Sequence, residues 1–278
     1  MSAAKPATLD TAQLPAMLTQ LRLPTIARLW QATTETADRE GWPAARTLAA
    51  LFEHEIAERA QRRTARHLLE ARLPPGKTID RFDFTAVPSL SKARIMALAE
   101  GDGWLARGTN ILLIGPPGVG KSHLAAALGH AMVDAGYRVL FTRTTDLVQH
   151  LQAARQDLKL ATAIEKLDKY HLLVLDDLSY VQKSQAETSV IFELISARYE
   201  RRSILITANQ PFGAWDAIFP DPAMTVAAID RLVHHSIILE MNADSYRRKS
   251  AELKLRRKAT GPAVKTAPPE PSSTAGVS

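Results

Sequence analysis

The stretch "ILLIGPPGVGKSHLAAAL", from Ile111 to Leu128, decides the fold into which the rest of the chain must fit. It joins an apolar run typical of a buried strand, the pattern G-x-x-x-x-G-K-S, and an apolar-periodic run typical of a helix. The glycines let the backbone curl so that successive N–H groups point at one anion, and the helix adds its positive N-terminus at the same place. In this context the pattern predicts a phosphate-binding loop, and a plain Gly-Pro turn is the weaker interpretation.

Individual positions of this loop have separate expected tasks. Lys121 is expected to reach the β- and γ-phosphates of a nucleotide, and Ser122 is expected to ligate Mg²⁺. The residues predicted to contact the nucleotide are Gly115, Pro116, Pro117, Gly118, Val119, Gly120, Lys121, Ser122 and His123.

Composition excludes several classes of site and of protein. The chain has 278 residues and no cysteine, which excludes disulfides and cysteine-ligated metal sites. Its longest apolar runs fall short of the roughly 20 residues that a membrane span requires. The N-terminus has no hydrophobic signal core, so we expect a cytoplasmic protein with no membrane partner. A net charge of +6 permits binding to nucleic acid without proving it.

The residues before the loop are predicted to form a helical domain, 1–75, and a linker, 76–103. The run "RTLAALFEHEIAERAQRRTARHLLEARL" is amphipathic and rich in arginine, which fits either nucleic-acid contact or a solvated helix face. "KTIDRFDFTAVP" then predicts an extended linker. Its Phe82 and Phe84 are expected to pack on the next domain or near a nucleotide base. The face of the amphipathic run holds Arg59, Arg62, Arg63, Arg66 and Arg72.

The core, 104–248, alternates predicted strands with predicted helices. Continuous apolar strands separated by helices indicate an α/β fold with a parallel sheet that is covered on both faces. The tail, 249–278, is basic at first and then rich in proline, and we expect its end to be disordered. The predicted strands are 110–114, 137–142, 171–176, 203–207 and 236–240, and the predicted helices are 121–135, 145–168, 186–201 and 225–235.

Polar residues follow two of the buried strands. In "LLVLDDL" the apolar strand is followed by two acids. Asp176 is expected to hold Mg²⁺ together with Ser122, and Asp177 is expected to orient and deprotonate an attacking water. Asn209 follows "ILITA". If its strand lies between the strand of the loop and the strand of Asp176, the Asn209 amide reaches the γ-phosphate and the water.

Two basic positions close the core. Arg231 lies near the end of a helix in "AIDRLVHH", where it fits either a finger that reaches a neighbouring subunit's γ-phosphate or a surface salt bridge. Arg247 follows the last strand in "DSYRR". His234 and His235 have no third metal ligand at suitable sequence spacing, so we interpret them as surface or interface residues.

Together, "GPPGVGKSHLAAALG", "LLVLDDLSY", "ELISARYERRS", "ITANQPF", "DRLVHH" and "SYR" resemble the AAA+ helper ATPase of bacterial insertion sequences, the IstB family. This family is related to the DnaC helicase loaders and to DnaA. The resemblance runs from about Leu14 to Arg248. It implies an AAA+ P-loop NTPase with a five-stranded parallel sheet in the order 5-1-4-3-2, an N-terminal helical domain and no large lid domain.

The resemblance also implies roles and partners. Arg231 matches the arginine finger, Arg247 the second sensor and Asn209 the first sensor. The helical stretch 145–168 matches an insertion that lines a DNA-binding channel, where Arg155 and Lys159 are the expected contacts. The implied cofactors are ATP and Mg²⁺. The implied partners are double-stranded DNA, the transposase of the same element and further copies of the chain in a ring or helix, with the transposase or a neighbouring subunit on the N-terminal helices.

Two departures from the family pattern affect the expected activity. Asp177 stands where most AAA+ proteins have Glu, so turnover is expected to be slow. Ser179 stands where the family usually has Gly, which is expected to stiffen that loop.

The predicted function is therefore an ATP-hydrolysing, DNA-binding regulator of transposition. A replicative helicase loader shares the same motifs and is the main alternative. A small-molecule P-loop kinase fits less well because the sequence shows no compact arginine-rich lid and because Arg231 would have no task. A domesticated element protein without a transposase is a fourth possibility.

Overall fold

The structure, a computed structural model, describes residues 11–101, 103–178, 185–217 and 221–243. Within these ranges the chain forms nine α-helices and five β-strands. The helices are α1 (Leu14–Gln20), α2 (Pro24–Glu40), α3 (Ala44–Ala71), α4 (Lys92–Ala99), α5 (Lys121–Asp134), α6 (Thr144–Gln156), α7 (Leu160–Leu167), α8 (Gln185–Arg198) and α9 (Pro222–Val233). The strands are β1 (Asn110–Ile114), β2 (Val139–Arg143), β3 (Leu172–Asp176), β4 (Ser203–Ala208) and β5 (Ser236–Glu240).

The strands form one sheet in the order β2-β3-β4-β1-β5, with parallel pairing between all neighbours. Read from the other edge, this is the predicted order 5-1-4-3-2. In the register, Ile111 of β1 lies between Leu205 of β4 and Ile237 of β5. Because β4 separates β1 from β3, the polar residues that follow β4 lie between the phosphate loop and the acids that end β3.

Apolar residues cover both faces of the sheet, as continuous apolar strands predict. Successive side chains of a strand point to opposite faces. Ile111 and Leu113 accordingly belong to a core cluster that includes α5, while Leu112 belongs to a second cluster that includes α6, α8 and α9. The loop and the acids are therefore held at one edge of a sheet whose central strands β1 and β4 are fully buried.

The N-terminal helices are joined by a buried carboxylate on α3. Glu55 accepts hydrogen bonds from the backbone N–H groups of Thr25 (2.8 Å) and Ile26 (3.1 Å) in the first turn of α2, and Arg59 donates to it at 2.9 Å. The first N–H groups of a helix have no partner within the helix. Glu55 supplies that partner from another element, so it fixes the start of α2 against α3.

The end of α3 packs on the core. Glu70 pairs with Arg138 at 3.4 Å, and a ring nitrogen of His130 on α5 lies 3.2 Å from the carbonyl oxygen of Pro74. Ala71 and Leu73 belong to the same apolar cluster as β1 and α5. The N-terminal helices are therefore continuous with the core through α3, and the domain limits drawn at 75, 103 and 248 stay predictions.

The prediction of an extended linker after residue 75 was wrong. The segment contains a short 3-10 helix at Phe84–Ala86 and the helix α4, whose first turn is capped by Ser91 accepting from the Arg94 N–H at 3.3 Å. Phe82 and Val87 are buried in the main core cluster. The segment folds back because its apolar residues pack on the surface of α5, as expected for Phe82, but the pattern of "KTIDRFDFTAVP" does not reveal the turns and the 3-10 helix.

The single helix predicted at 145–168 is two helices, α6 and α7. Leu158 has a positive φ of 58°, a conformation that a right-handed helix cannot contain. The N–H of Lys159 closes the break by donating to the carbonyl oxygen of Ala154 at 2.7 Å. Leu158 itself is 95% exposed, so no packing favours a continuous helix there.

The other predicted elements differ from the structure mainly at their ends. β2 begins two residues later than predicted, and α9 begins three residues earlier because Asp221 caps its first turn. The structure shows no helix, in the ranges it describes, that is long and apolar enough to cross a membrane. Ser179, Arg247 and the tail 249–278 lie outside the described residues.

Candidate functional site

The predicted phosphate loop lies between β1 and α5, at the carboxyl edge of the sheet. Gly120 has a φ of +101°, a conformation that favours glycine, and a Cβ there would lie 3.0 Å from the Phe82 ring. Gly115 faces a different constraint, because a Cβ would lie 2.4 Å from the carbonyl oxygen of Met241. Gly120 therefore permits the turn of the loop, and Gly115 permits the close approach of the chain that follows β5.

Lys121 is held inside the loop. Its side chain is 6% exposed, and Nζ donates to the carbonyl oxygens of Gly115 at 2.6 Å and Pro116 at 2.8 Å. A buried ammonium group requires such partners, since an unpaired charge is costly to bury. Ser122 follows directly in the first turn of α5. The loop thus presents a positive charge and a hydroxyl at the N-terminus of a helix.

The two acids that follow β3 are joined to β4 by a set of short hydrogen bonds. Thr207 donates its hydroxyl to Asp176 Oδ1 at 2.7 Å, and the Thr207 hydroxyl oxygen accepts the N–H of Asp177 at 2.8 Å. Asn209 donates Nδ2 to Asp177 Oδ1 at 3.0 Å. Asp177 has a positive φ of 64°. The turn after β3 therefore places two successive carboxylates against β4, with both fixed in direction.

Thr207 is a site residue that the sequence analysis missed. It is 1% exposed and is the polar residue within the apolar run of β4. A threonine in a strand is usually interpreted as a β-branched packing residue. The feature that could have indicated a role for Thr207 in the site is its position two residues before Asn209, at the end of a strand that must border the phosphate loop.

One cavity of about 570 Å³ brings the loop, Asp177, Thr207 and Asn209 together, whereas Asp176 lies behind Thr207 and does not line it. The phosphate loop forms one side, the Asp177 turn and the end of β4 form a second, and the segment after residue 76 forms a third. Its lining residues are Lys77, Arg81, Phe82, Asp83, Ala86, Val87, Pro117, Gly118, Val119, Gly120, Lys121, Ser122, His123, Asp177, Thr207 and Asn209.

The third side of the cavity combines apolar and aromatic side chains with the charged side chains of Lys77, Arg81 and Asp83. Phe82 packs edge-on against His123, with ring centroids 5.4 Å apart, and against Phe84 at 4.9 Å. A ring nitrogen of His123 lies 3.1 Å from the carbonyl oxygen of Thr78. Phe82 thus has both of its expected positions, on the core and beside the candidate nucleotide site. Asp83 lies nearby, where its hydrogen bonds with Thr85 lower the pKa of the carboxyl group.

Arg231 lies outside this cavity. It is on α9, where its Nη1 donates to the carbonyl oxygen of Ala227 at 2.9 Å and its guanidinium lies 5.1 Å from the Phe192 ring centroid. It lines a separate shallow hollow together with Val226, whose side chain is largely exposed. The predicted second sensor, Arg247, lies outside the described residues.

The two predicted DNA contacts have different surroundings. Arg155 donates to Ser189 at 2.6 Å and pairs with Glu193, so α8 already holds its guanidinium. Lys159 is exposed at the start of α7 and lines a groove between α6, α7 and β2. Other cationic side chains of this groove are Arg72, Lys166 and Lys169.

Similarity to known proteins agrees with this geometry. The family model described as IstB-like ATP binding protein matches residues 16–254. An insertion sequence ATP-binding protein of Sinorhizobium fredii, y4iQ/y4nD/y4sD, is 69% identical over 88% of this chain and 82% of its own length. The ATP-binding protein of insertion sequence IS21 from Pseudomonas aeruginosa is 36% identical over 89% of this chain and 91% of its own.

The fold has counterparts among solved structures. AMPPCP-bound DnaA from Aquifex aeolicus superimposes with a TM-score of 0.52 at 21% identity, over 67% of this chain and 56% of its own. This likeness, together with the sheet order, makes the architecture an AAA+ P-loop fold. With the family match over most of its length, the chain belongs to the IstB-like ATP-binding proteins of insertion sequences.

Proposed function

We propose that this protein hydrolyses ATP and uses the nucleotide cycle to regulate transposition. With ATP it assembles on double-stranded DNA in the cytoplasm, selects or remodels a target, and recruits the transposase of the same element; hydrolysis then releases the assembly. The observation that carries the proposal is the cavity in which Lys121 faces the hydrogen-bonded pair Asp177 and Asn209. A protein that only stored nucleotide would not need an oriented carboxylate there.

The loop side of the cavity suits a triphosphate. Lys121 Nζ already donates to two carbonyl oxygens, and β- and γ-phosphate oxygens are stronger acceptors that would replace them. The N-terminus of α5 adds backbone N–H groups and a favourable dipole. Around the base, Phe82 and Val87 supply apolar contact, and Lys77 and Arg81 extend the positive charge of the cavity.

The residues at the sheet edge also fit Mg²⁺. A serine hydroxyl and a carboxylate, Ser122 and Asp176, are the oxygen ligands that Mg²⁺ takes beside phosphates. When bound, the ion would neutralise developing charge on the phosphates. Thr207 donates to Asp176 Oδ1, so it fixes the direction of this carboxylate.

Asp177 is placed to act on water. Its Oδ1 accepts a hydrogen bond from Asn209 Nδ2, which fixes the direction of a carboxylate that can serve as a proton acceptor. We assign to Asp177 the alignment and deprotonation of the attacking water, and to Asn209 the positioning of both Asp177 and the γ-phosphate.

Arg231 would complete the site of a neighbouring subunit. It does not line the cavity of its own chain, and it stands on an exposed part of α9 beside Val226. An arginine supplied across an interface stabilises charge in the transition state. We infer that ATP-dependent assembly brings this face of α9 against the next subunit's phosphates.

The remaining surfaces fit the two macromolecular partners. Lys159, Lys166 and Lys169 line one groove and suit a DNA backbone. On α3, Leu48, Phe52 and Ile56 recur every four residues and are exposed, which gives the N-terminal helices an apolar row for the transposase or a neighbouring subunit.

Phosphate release by the full chain with double-stranded DNA tests the enzymatic part, with Lys121→Ala as the inactive control. DNA-stimulated release by the wild type supports the proposal, and ATP that stays intact on the protein contradicts it. Co-purification with the element's transposase or with a replicative helicase separates transposition from the helicase-loader alternative.

A further inference from the structure

Glu200, His234 and His235 form a cluster at the edge of the sheet opposite the phosphate loop. Glu200 precedes β4 and the two histidines precede β5, so the chain brings together residues about 35 positions apart in sequence. The ligand-type atoms of the three side chains lie within 4.8 Å of one another. Sequence spacing gave His234 and His235 no third ligand. In the fold, Glu200 from a different turn lies beside them.

The distances in this cluster fit a tetrahedral metal. Zinc–ligand distances near 2.05 Å place neighbouring ligand atoms about 3.4 Å apart. His235 Nε2 lies 3.3 Å from Glu200 Oε1, and His234 Nδ1 lies 4.0 Å from the same oxygen. All three side chains are exposed, so small rotations can bring them to one ion, with water in the fourth position.

Two further contacts hold the cluster in place. The Tyr199 hydroxyl lies 2.8 Å from His234 Nδ1, so it orients the imidazole of the metal-free chain and must leave Nδ1 when this nitrogen binds the ion. The backbone is also fixed, because the N–H of Asn110 donates to the carbonyl oxygen of His235 at 2.8 Å. An ordinary ion pair would need neither two histidines nor an orienting hydroxyl.

We propose that Glu200, His234 and His235 bind a divalent transition metal, with Zn²⁺ the best fit. Two imidazoles and one carboxylate favour zinc over Mg²⁺, which prefers an all-oxygen shell. The bound ion joins the turn before β4 to the C-terminal end of α9. The C-terminal end of α9 also carries Arg231, so the ion would hold this proposed arginine finger in position. That consequence rests on the proposed function, whereas the metal site itself does not.

The test is a titration of the tag-free, chelator-treated full chain with Co²⁺ in the absence of nucleotide, followed by displacement with Zn²⁺. The expected result is one ion per chain, with the visible absorption of tetrahedral Co²⁺ that Zn²⁺ removes. Glu200→Gln, His234→Ala and His235→Ala should each abolish this saturable binding. Tyr199→Phe removes a hydroxyl that competes with the ion for His234 Nδ1, so this variant should bind Co²⁺ at least as tightly as the wild type.

Matched controls assign the binding to this cluster. His54→Ala removes another exposed histidine and Glu53→Gln another exposed carboxylate, both on α3; both variants should bind Co²⁺ as the wild type does. Zn²⁺ should also raise the Tm of the wild type but not that of His234→Ala. Binding that is absent from the wild type, or that survives all three substitutions in the cluster, would overturn the proposal and leave an ordinary surface ion pair.

Discussion

Thr207 links the two carboxylates on which the candidate active site depends. Its hydroxyl donates to Asp176 and accepts from the backbone of Asp177, so one side chain fixes both the proposed metal-binding acid and the proposed base. Because Thr207 is fully buried, water cannot replace these bonds if the hydroxyl is removed. At this scale the site depends on positioning as much as on the reactive groups.

Thr207→Val keeps the shape of the side chain and removes both hydrogen bonds. Losing one or two such bonds, at about 1 kcal/mol each, should lower kcat by roughly 5- to 30-fold with little change in ATP affinity. Thr207→Ser keeps the hydroxyl and should retain most activity. Steady-state phosphate release and ATP titration measure both effects; equal activity of the valine and serine variants would remove Thr207 from the mechanism.

Asp177→Asn should bind ATP normally and lower turnover by about 10²–10⁴-fold, because an amide cannot accept the proton of the attacking water. Asp177→Glu is the matched control: it restores a carboxylate of the length usual in AAA+ proteins and should keep or raise the rate. Single-turnover hydrolysis is the measurement. An asparagine variant with wild-type turnover would show that another group is the base.

At the scale of elements, most of the fold could be predicted because each buried strand is a short apolar run with a polar end. β1 and β5 have the predicted limits, and the other strands differ by at most two residues. The predictions that failed depend on tertiary contact or on one backbone angle. The residues 76–103 fold onto α5 through Phe82 and Val87, and the positive φ of Leu158 separates α6 from α7.

The candidate site could be predicted to a similar extent. Lys121, Ser122, Asp177 and Asn209 lie around one cavity as expected, since parallel strands bring their polar ends to a common edge. Thr207 was missed because a buried threonine in a strand has an ordinary packing explanation. Spacing along the chain likewise could not bring Glu200 to His234, because only the sheet order makes their two turns neighbours.

The stability of the contact between α2 and α3 should depend on pH through Glu55. Burial opposes ionisation of Glu55, but hydrogen bonds from Ile26, Arg59 and Thr25 outweigh it and lower its pKa. A lowered folded-state pKa means that this stabilisation is complete above the ordinary carboxylate pKa and is lost as pH falls through the lower folded value.

Glu55→Gln should therefore lower the free energy of unfolding by about 1–3 kcal/mol at neutral pH, and its difference from the wild type should shrink in acid. Glu53→Gln, at an exposed position of the same helix, is the control and should have little effect. Urea unfolding over a pH series measures this. A difference that stays constant into acid would show that the charge of Glu55 does not stabilise the fold.

The groove between α6 and α7 carries the predicted DNA contact. Lys159→Ala combined with Lys166→Ala should weaken binding to all sequences and reduce the slope of log K against log salt by roughly 2, at about 0.9 per phosphate contact. Arg39→Ala, on exposed α2, should leave the slope unchanged. Arg155→Ala should change it little, since Glu193 holds that guanidinium. A slope that responds to Arg155 but not to the lysines would place DNA on another face.

At the scale of the whole molecule, the proposed function requires each nucleotide site to combine residues of two neighbouring subunits. The cavity of each chain is lined by the loop, Asp177 and Asn209, while Arg231 lines a separate hollow on α9. Such a division makes hydrolysis depend on assembly, so DNA that promotes assembly would also control the lifetime of the ATP-bound state. The α3 helix connects the apolar row of the N-terminal helices to this same core.

Mixing Arg231→Ala with Lys121→Ala tests this division most directly. Alone, Arg231→Ala should bind ATP with near wild-type affinity and lose hydrolysis by about 10³-fold or more, as an arginine finger does. Lys121→Ala should bind no ATP. In a mixture on DNA, an intact Lys121 pocket can meet an intact Arg231 finger, so phosphate release should recover in part. A mixture of folded proteins that stays inactive, or an Arg231→Ala variant that hydrolyses ATP normally, would contradict the account.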